Sequence, residues 1–543
     1  MVADNGVTFF VPNLLKGEKA EIETTFSYGK PSDARVVKRL TNSPDRVTPK
    51  CKYYDKCGGC SIMHMSYESQ LKYKQEKVYN LLKKFGKIDV KVNPTVGVEN
   101  PWNFRNKIQK PVRPGKKKGE ISVGFFAENT HNLISVDNCL IEDKRSIAIT
   151  DKILELCKKY KVQPYDEDKR TGLLRHILIK TSFTYDEAMV CFVTAQDVFP
   201  GIKNLAKDLV NEMPIIKTVV QNINTRKTNV ILGEKERIVY GPGRIKDNIF
   251  GLDFLISAKS FYQTNPRQIE KLYGLAIEGA KLTGTEKVLD AYCGTGTIGL
   301  CASKYAKEVI GVEIVKEAIR DATNNAKING VTNATFIADD CTDYILNNLD
   351  EHFDVIFMDP PRKGSTPEFL NAVKKMSPRK IAYISCNPVT LARDLVFLKD
   401  EYSIDFVTPV DLFPHSAHVE TVVLLNKKND WKSSVKLWFS GNRTNFGIGQ
   451  DERFLVTYLK TDWVKMWELS CWVRCCGSCD CEMDAMIKQG FLASISGRSE
   501  NIIKEVIIYG QDSHRKRERA RNADHPIIRT EALRGAISNV VSG

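Results

Sequence analysis

At 543 residues the chain is too long for one hydrophobic core and predicts roughly two to four domains. Lys+Arg total 80 against Asp+Glu 66, a net charge of +14 that favours an anionic partner such as RNA. No apolar run reaches the roughly 18 residues of a membrane-spanning helix. The start, MVADNGVTFF, lacks the basic lead of a secretory signal, so the expected compartment is the cytoplasm. Thiols stay reduced there, so fifteen cysteines point to metal binding or catalysis more than to disulfides.

Residues 1–46 alternate short apolar runs (VTFFVPNLL, AEIETTF, ARVVKRL) with turn signals and read as a small β unit. CKYYDKCGGC then spaces Cys51, Cys57 and Cys60 as C-x5-C-x2-C, one ligand short of a closed metal site. SYESQLKYKQEKVYNLLKKFG has helical spacing, with Gly86 as its expected C-cap. Residues 89–250 carry short strands such as RHILIKTSF and EAMVCFVTA between charged turns, an α+β pattern with a basic surface. Cys157 and Cys191 fall in apolar helix and strand patterns and read as core.

From about residue 258 the pattern becomes strand, turn, amphipathic helix, repeated through KVLDAYCGTGTIGLCAS, EVIGVEIVKEAIRDATNNAKINGV, FDVIFMDPPRKG and KIAYISCNP. That alternation predicts an α/β, doubly wound parallel sheet, whose ligands bind at the carboxyl ends of the strands. Gly294 and Gly296 in LDAYCGTGTIGL let the backbone approach a ligand. Nineteen residues after Gly294, Glu313 ends the next strand, where a carboxylate binds ribose hydroxyls. The turn has neither the dinucleotide G-x-G-x-x-G spacing nor a Walker lysine. An adenosyl ligand without phosphates, S-adenosylmethionine, fits best. DPPR (359–362) puts Asp359 at another strand end on a rigid turn.

ISCNP (384–388) places Cys386 after an apolar strand and before a helix start, where a helix N-terminus is expected to lower its pKa. A thiolate adding to C6 of uracil turns C5 into a nucleophile, and a base must later remove the C5 proton. HSAHVETVVLL (415–425) supplies Glu420, between apolar Val419 and Val422, as that base, with His418 as the alternative. After about 430 the pattern stops: five of the six tryptophans fall within 431–472 and five cysteines within 471–481.

FYQTNP, DAYCGTG, GVE, DPPRKG, SCNP and HVETVVLL occur in that order, and residues 1 to about 426 resemble the RNA uracil-C5 methyltransferases. The resemblance implies a Rossmann-like class I methyltransferase domain at 251–428. It implies S-adenosylmethionine bound by Gln263, Tyr292, Glu313 and Asp359, with Cys386 as nucleophile and Glu420 as base. The family's ribosomal branch carries a [4Fe-4S] cluster on cysteines spaced as Cys51, Cys57 and Cys60. Cys139 in SVDNCLIED stands at the place of the fourth. That implies 23S ribosomal RNA as substrate, with transfer RNA as the alternative, in a chain expected to be monomeric and off the membrane. Residues 1–46 resemble a TRAM-like RNA-binding β-barrel, short by a strand; 47–250 would be the central α+β domain with the Fe-S cysteines. PWNFRNKIQKPV (101–112) resembles the RNA-facing segment, with Arg105 and Lys107 beside a strand and Phe104 available to stack on a base. Residues 429–543 would be an extension of no assigned role.

Competing readings remain. A radical enzyme would space its cysteines C-x3-C-x2-C, leaving an open iron. A non-enzymatic RNA-binding protein with a structural metal knuckle would leave Cys386 without a role. A cytosine-C5 methyltransferase would carry a second cysteine in a Pro-Cys turn where this chain has Arg362.

Overall fold

The computed structural model describes residues 9–24, 32–117, 119–227 and 230–428, with two short strands beyond, and divides into two units, Met1–Lys428 and Asn429–Gly543. At the N-terminus β1 (Phe9–Phe10), β2 (Ala20–Thr24) and β3 (Ser32–Arg39) form a three-stranded sheet in the order β1-β3-β2. Among the described residues this is an open sheet and no barrel closes. Glu18 ties it to the following segment through ion pairs with Arg39 and Arg46.

Helix α1 (Tyr67–Leu81) starts where Ser66 accepts from the Ser69 amide, and one π-helical turn, Leu82–Gly86, extends it. The left-handed cap falls on Lys87 (φ 52°), one residue past the expected Gly86. Gly86 serves a different end: a Cβ there would stand 3.0 Å from the Ala392 carbonyl, so the glycine permits close helix approach.

The central sheet comprises β4 (Lys107–Pro114), β5 (Ile121–Phe126), β6 (Leu133–Ser135), β7 (Leu174–Thr181), β8 (Ala188–Thr194), β9 (Ile216–Ile223) and β10 (Lys235–Tyr240), in the order β10-β9-β8-β7-β4-β5-β6. Every residue of β7 and β8 is buried, because both faces are covered. Ile177, Ile179, Val190 and Phe192 pack with α2 (Lys144–Lys159) and α3 (Ile202–Glu212). The alternate residues Leu178, Met189, Cys191 and Val193 belong to the core of the C-terminal sheet. Cys157 and Cys191 are core residues, as their patterns predict.

A hairpin follows, β11 (Arg244–Ile249) and β12 (Leu252–Ser257), joined by Phe250 and Gly251, both at positive φ as a two-residue turn of this twist requires. Next come α4 (Pro266–Ala280), β13 (Lys287–Ala291), α5 (Thr297–Ser303), β14 (Glu308–Glu313), α6 (Lys316–Ile328), β15 (Ala334–Ala338) and α7 (Cys341–Asn347). β16 (Val355–Met358), α8 (Pro367–Met376), β17 (Lys380–Ser385), α9 (Pro388–Leu398), β18 (Tyr402–Val410) and β19 (Glu420–Lys427) complete the unit. The seven strands lie in the order β15-β14-β13-β16-β17-β19-β18. The first five are parallel; β19 runs antiparallel between β17 and β18. The expectation of a doubly wound parallel sheet therefore holds for every strand but β19, which runs against the other six. Strand order reverses between β13 and β16, which opens a crevice at their carboxyl ends. In the second unit the described strands, β20 (Arg453–Val456) and β21 (Val506–Tyr509), pair antiparallel.

Helix α1 is fastened to the β18–β19 connector by charge as well as by apolar contact. Lys74 Nζ lies 2.5 Å from Asp411 Oδ1, with both side chains fully buried. The Lys74 ammonium also donates to the Phe413 carbonyl at 3.0 Å, and the Tyr67 hydroxyl donates to Asp411 Oδ2 at 2.9 Å. Replacing Lys74 by Met leaves the Asp411 charge buried without its counter-ion. We expect a loss of about 3–5 kcal/mol, read as a lower urea midpoint; an unchanged midpoint contradicts the pairing.

Candidate active site

β13 delivers the chain into a tight turn. Tyr292 sits at φ 63°, a strained conformation for a bulky side chain. It is held there by its hydroxyl on Ser365 Oγ (2.8 Å) and its ring against Phe369 (centroids 5.5 Å apart). Gly296 has φ 77°, and a Cβ on it would meet the Phe336 ring at 2.7 Å, so the position admits only glycine. Glu313, ending β14, braces this turn: its carboxylate accepts from the Gly294 amide at 3.3 Å and from the Val315 amide at 3.0 Å. Gln263 is buried; its carbonyl accepts from Asn106 Nδ2 at 3.1 Å, and its side chain hydrogen-bonds the Tyr273 hydroxyl.

Gln263, Tyr292, Gly294 and Asp359 line one cavity of about 380 Å³, mouth included. Its wall carries no lysine or arginine. A phosphate-bearing dinucleotide would find no cation there, whereas an adenosyl group without phosphates fits the glycine turn and the flanking carboxylates.

The second half of the site lies at the ends of β16, β17 and β19. In the β17–β19 ladder Ser385 pairs with Thr421, so the next position sets Cys386 opposite Glu420. Asn387 caps α9 by accepting from the Val389 amide. The expected lowering of the Cys386 pKa does not occur. Burial, then the Glu420 and Asp359 carboxyls, push the thiol up to about 11, with Arg362 opposing. Desolvation and two acids outweigh one helix terminus. Burial and then Asp359 push the Glu420 carboxyl up to about 8, again against Arg362, in line with the raised pKa expected of it. Asp359 keeps some exposed surface, yet burial pushes its carboxyl up to about 7. Cys386, Asp359 and Glu420 thus share one electrostatic field, tempered by Arg362. The DPPR turn holds this arginine in plain view, but its reach to both Cys386 and Glu420 shows only in the fold. His418, the alternative base, is exposed, with its ring edge-on to Phe413.

The N-terminal thiols lie outside this cavity. Cys51, Cys57, Cys60 and Cys139 are all partly buried. Cys60 is pushed up to about 12 by burial, then by Cys139, Cys57 and Cys51, so the fold gathers all four within electrostatic reach. Among the described residues no group of three or more His, Cys, Asp or Glu side chains converges closely enough to hold a metal ion. An iron–sulfur cluster binds each thiolate to a different iron and needs no convergence on one point, so the soft donor set fits it better than a single zinc. A buried Lys110–Glu142 ion pair (2.8 Å) lies alongside, close enough for both residues to act on the Cys139 thiol.

One expectation fails nearby. Phe104 is 2% exposed and cannot stack on a base. The neighbouring Trp102 is partly buried and stacks on His415, with centroids 4.0 Å apart and planes 26° from parallel. Nothing in the local sequence pairs residues so far apart.

The tRNA (uracil-5-)-methyltransferase family profile matches residues 66–428. An uncharacterised RNA methyltransferase of Listeria monocytogenes is 42% identical over 428 residues, covering 78% of this chain and 93% of its own. Another from Halalkalibacterium halodurans is 41% identical over 434 residues, covering 78% and 93%. Among solved structures, the tRNA (uracil-54, C5)-methyltransferase of Pyrococcus abyssi, in complex with S-adenosyl-L-homocysteine, superposes with a TM-score of 0.63 at 28% identity. That match covers 78% of this chain and 98% of that one. The chain belongs to the tRNA (uracil-5-)-methyltransferase family. It is an RNA uracil-C5 methyltransferase built on the Rossmann-like class I methyltransferase fold.

The family match and the first structural unit both end at residue 428. A chain truncated after Lys428 keeps every candidate site residue and is expected to retain methyl transfer within about twofold in a tritiated-methyl assay. A folded but inactive truncation contradicts this.

Proposed function

We propose that the protein methylates C5 of a uridine in 23S ribosomal RNA, with Cys386 as nucleophile and Glu420 as base. The observation that carries this reading is the Cys386–Asp359–Glu420 group beside a cavity free of phosphate-binding cations. Gln263, Tyr292, Glu313 and Asp359 are the residues that would hold S-adenosylmethionine. When bound, that cofactor supplies an electrophilic methyl to C5 and leaves as S-adenosylhomocysteine.

The chain's own residues do the rest. The Cys386 thiol loses its proton to solvent and Sγ bonds to uracil C6, moving the C5–C6 π electrons into an enolate. Once C5 carries the methyl, the Glu420 carboxylate takes the C5 proton. The C–H electron pair re-forms C5=C6 as the Sγ–C6 bond breaks, and the thiolate departs. A base set opposite the nucleophile across one strand pair can serve both events without large movement. The target uridine must leave its stack to reach this crevice.

The ribosomal substrate rests on the four gathered thiols, which we assign as ligands of a [4Fe-4S] cluster. Bound there, the cluster would tie residues 51–60 covalently to residue 139 and shape an RNA-facing surface. Transfer RNA is the second reading, favoured by the names of the matching family and of the solved Pyrococcus abyssi enzyme.

With labelled methyl donor, 23S ribosomal RNA is expected to accept label and tRNA not; label in tRNA alone overturns the substrate assignment. Cys386→Ala is expected to abolish transfer. Glu420→Gln is expected to slow turnover by roughly 10²–10⁴-fold and to leave a denaturant-stable protein–RNA adduct, visible as a shifted band.

The pH dependence follows from the raised pKa values. Below about 8 the Glu420 carboxyl is protonated and cannot accept a proton, and the Cys386 thiol, at about 11, is protonated as well. kcat/KM should therefore climb by at least about tenfold per unit between pH 6 and 8 and keep rising beyond. A flat profile over that interval refutes the assignment.

A further inference from the structure

The connector from Asp411 to Val419 ends on Glu420, and alternate residues along it are held by side chains and amides from residues 61–77. Asp411 is held by Lys74 and Tyr67, and the Phe413 carbonyl by Lys74 again. The His415 amide donates to Gln70 Oε1 at 2.9 Å. The His415 carbonyl accepts from the Ser61 and Ile62 amides, both at 3.0 Å, from the two residues that follow Cys60. The Ala417 amide donates to Ser61 Oγ at 2.9 Å, and its carbonyl accepts from Lys77 Nζ at 2.7 Å.

His415 is the centre of this set. It is 3% exposed, stacked on Trp102 and held at φ 67°, a left-handed conformation uncommon outside glycine. Three separate segments meet on it: the thiol loop, α1 and the stretch before β4. Glu420 needs such support. It is the first residue of β19, paired with Val410 on one side and one position beyond the last pair with β17 on the other. A first strand residue frays unless the chain before it is fixed.

We infer that His415 is a positioning residue for proton abstraction. By locking the connector to the Ser61–Ile62 amides and to Trp102, it fixes the Glu420 carboxyl opposite Cys386 and couples the thiol loop to the deprotonation step. The inference rests on Glu420 being the base. It predicts a selective defect. Attack by Cys386 is governed by β17 and α9 and persists; removal of the C5 proton fails, so the methylated adduct accumulates.

The test is His415→Gly, which keeps the left-handed backbone accessible and removes the ring. Turnover with 23S ribosomal RNA is expected to fall about 10–100-fold, the scale of a 1 Å misplacement, while the denaturant-stable adduct builds up as in Glu420→Gln. Ser61→Ala, which deletes only the bond to Ala417, should show the same partition more weakly. If His415→Gly loses adduct and turnover in equal proportion, or keeps wild-type turnover, the inference is overturned. Adduct in Glu420→Gln but not in His415→Gly overturns it alone; no adduct in Glu420→Gln overturns the base assignment and this inference with it. Should His415→Gly not fold, Ser61→Ala at an unchanged melting temperature decides, and a wild-type ratio of adduct to product overturns the inference.

Discussion

A lysine and an aspartate 337 residues apart, Lys74 and Asp411, meet with both charges out of water. Two ions buried together are stable only where geometry and further hydrogen bonds compensate for lost hydration. Here Tyr67 and the Phe413 carbonyl supply those bonds. The pair therefore admits one placement of α1 against the end of β18. Much else follows from that placement. α1 carries Gln70 and Lys77 onto the connector, the chain before α1 brings the thiol loop beside His415, and β19 enters the sheet with Glu420 at its first position. The thiol loop and α1 thus belong to the architecture of the candidate site.

The crevice itself is an acid-rich, poorly hydrated place. Two carboxyls and a thiol stand together: besides burial, Asp359 raises the proton affinity of Glu420, and both carboxyls raise that of Cys386. Groups coupled this closely titrate as a set. Near neutral pH the unliganded protein therefore keeps the Cys386 thiol and the Glu420 carboxyl protonated, and Arg362 tempers the field on both. Such a site favours chemistry in which charge is relayed among Cys386, the pyrimidine ring and Glu420 and never accumulates on one of them. A sulfonium cofactor also suits it, since a positive ligand enters where negative charge is costly and lowers that cost.

The placement of the candidate site residues was largely legible in the sequence because they lie at strand ends in short ordered motifs. Tyr292, Glu313, Asp359, Cys386 and Glu420 all stand where alternating apolar strands and Gly- or Pro-bearing turns would put them. What escaped was whatever depends on partners distant in the chain. Helical spacing alone gives no sign that Lys74 is buried; its partner Asp411 lies far along the chain. Phe104 reads as a free aromatic beside two cations, but the fold buries it. Cys386 reads as an activated thiol from its helix terminus, yet burial, and then carboxyls just past β16 and at the start of β19, raise its pKa. The antiparallel insertion of β19 is likewise invisible, since a buried strand is apolar whichever way it runs. That reversal sets Cys386 opposite Glu420.

The central claim is that Cys386 bonds to C6 and Glu420 then removes the group's leaving proton from C5. RNA carrying 5-fluorouridine at the target position tests it most directly, because fluorine at C5 cannot be lost as a proton and the reaction must stop at the methylated adduct. Incubated with S-adenosylmethionine, the wild-type protein is predicted to form a denaturant-stable complex. Mass spectrometry of its peptides should place one methylated fluorouridine on Cys386. Absence of a complex, or attachment at any other cysteine, would contradict the account.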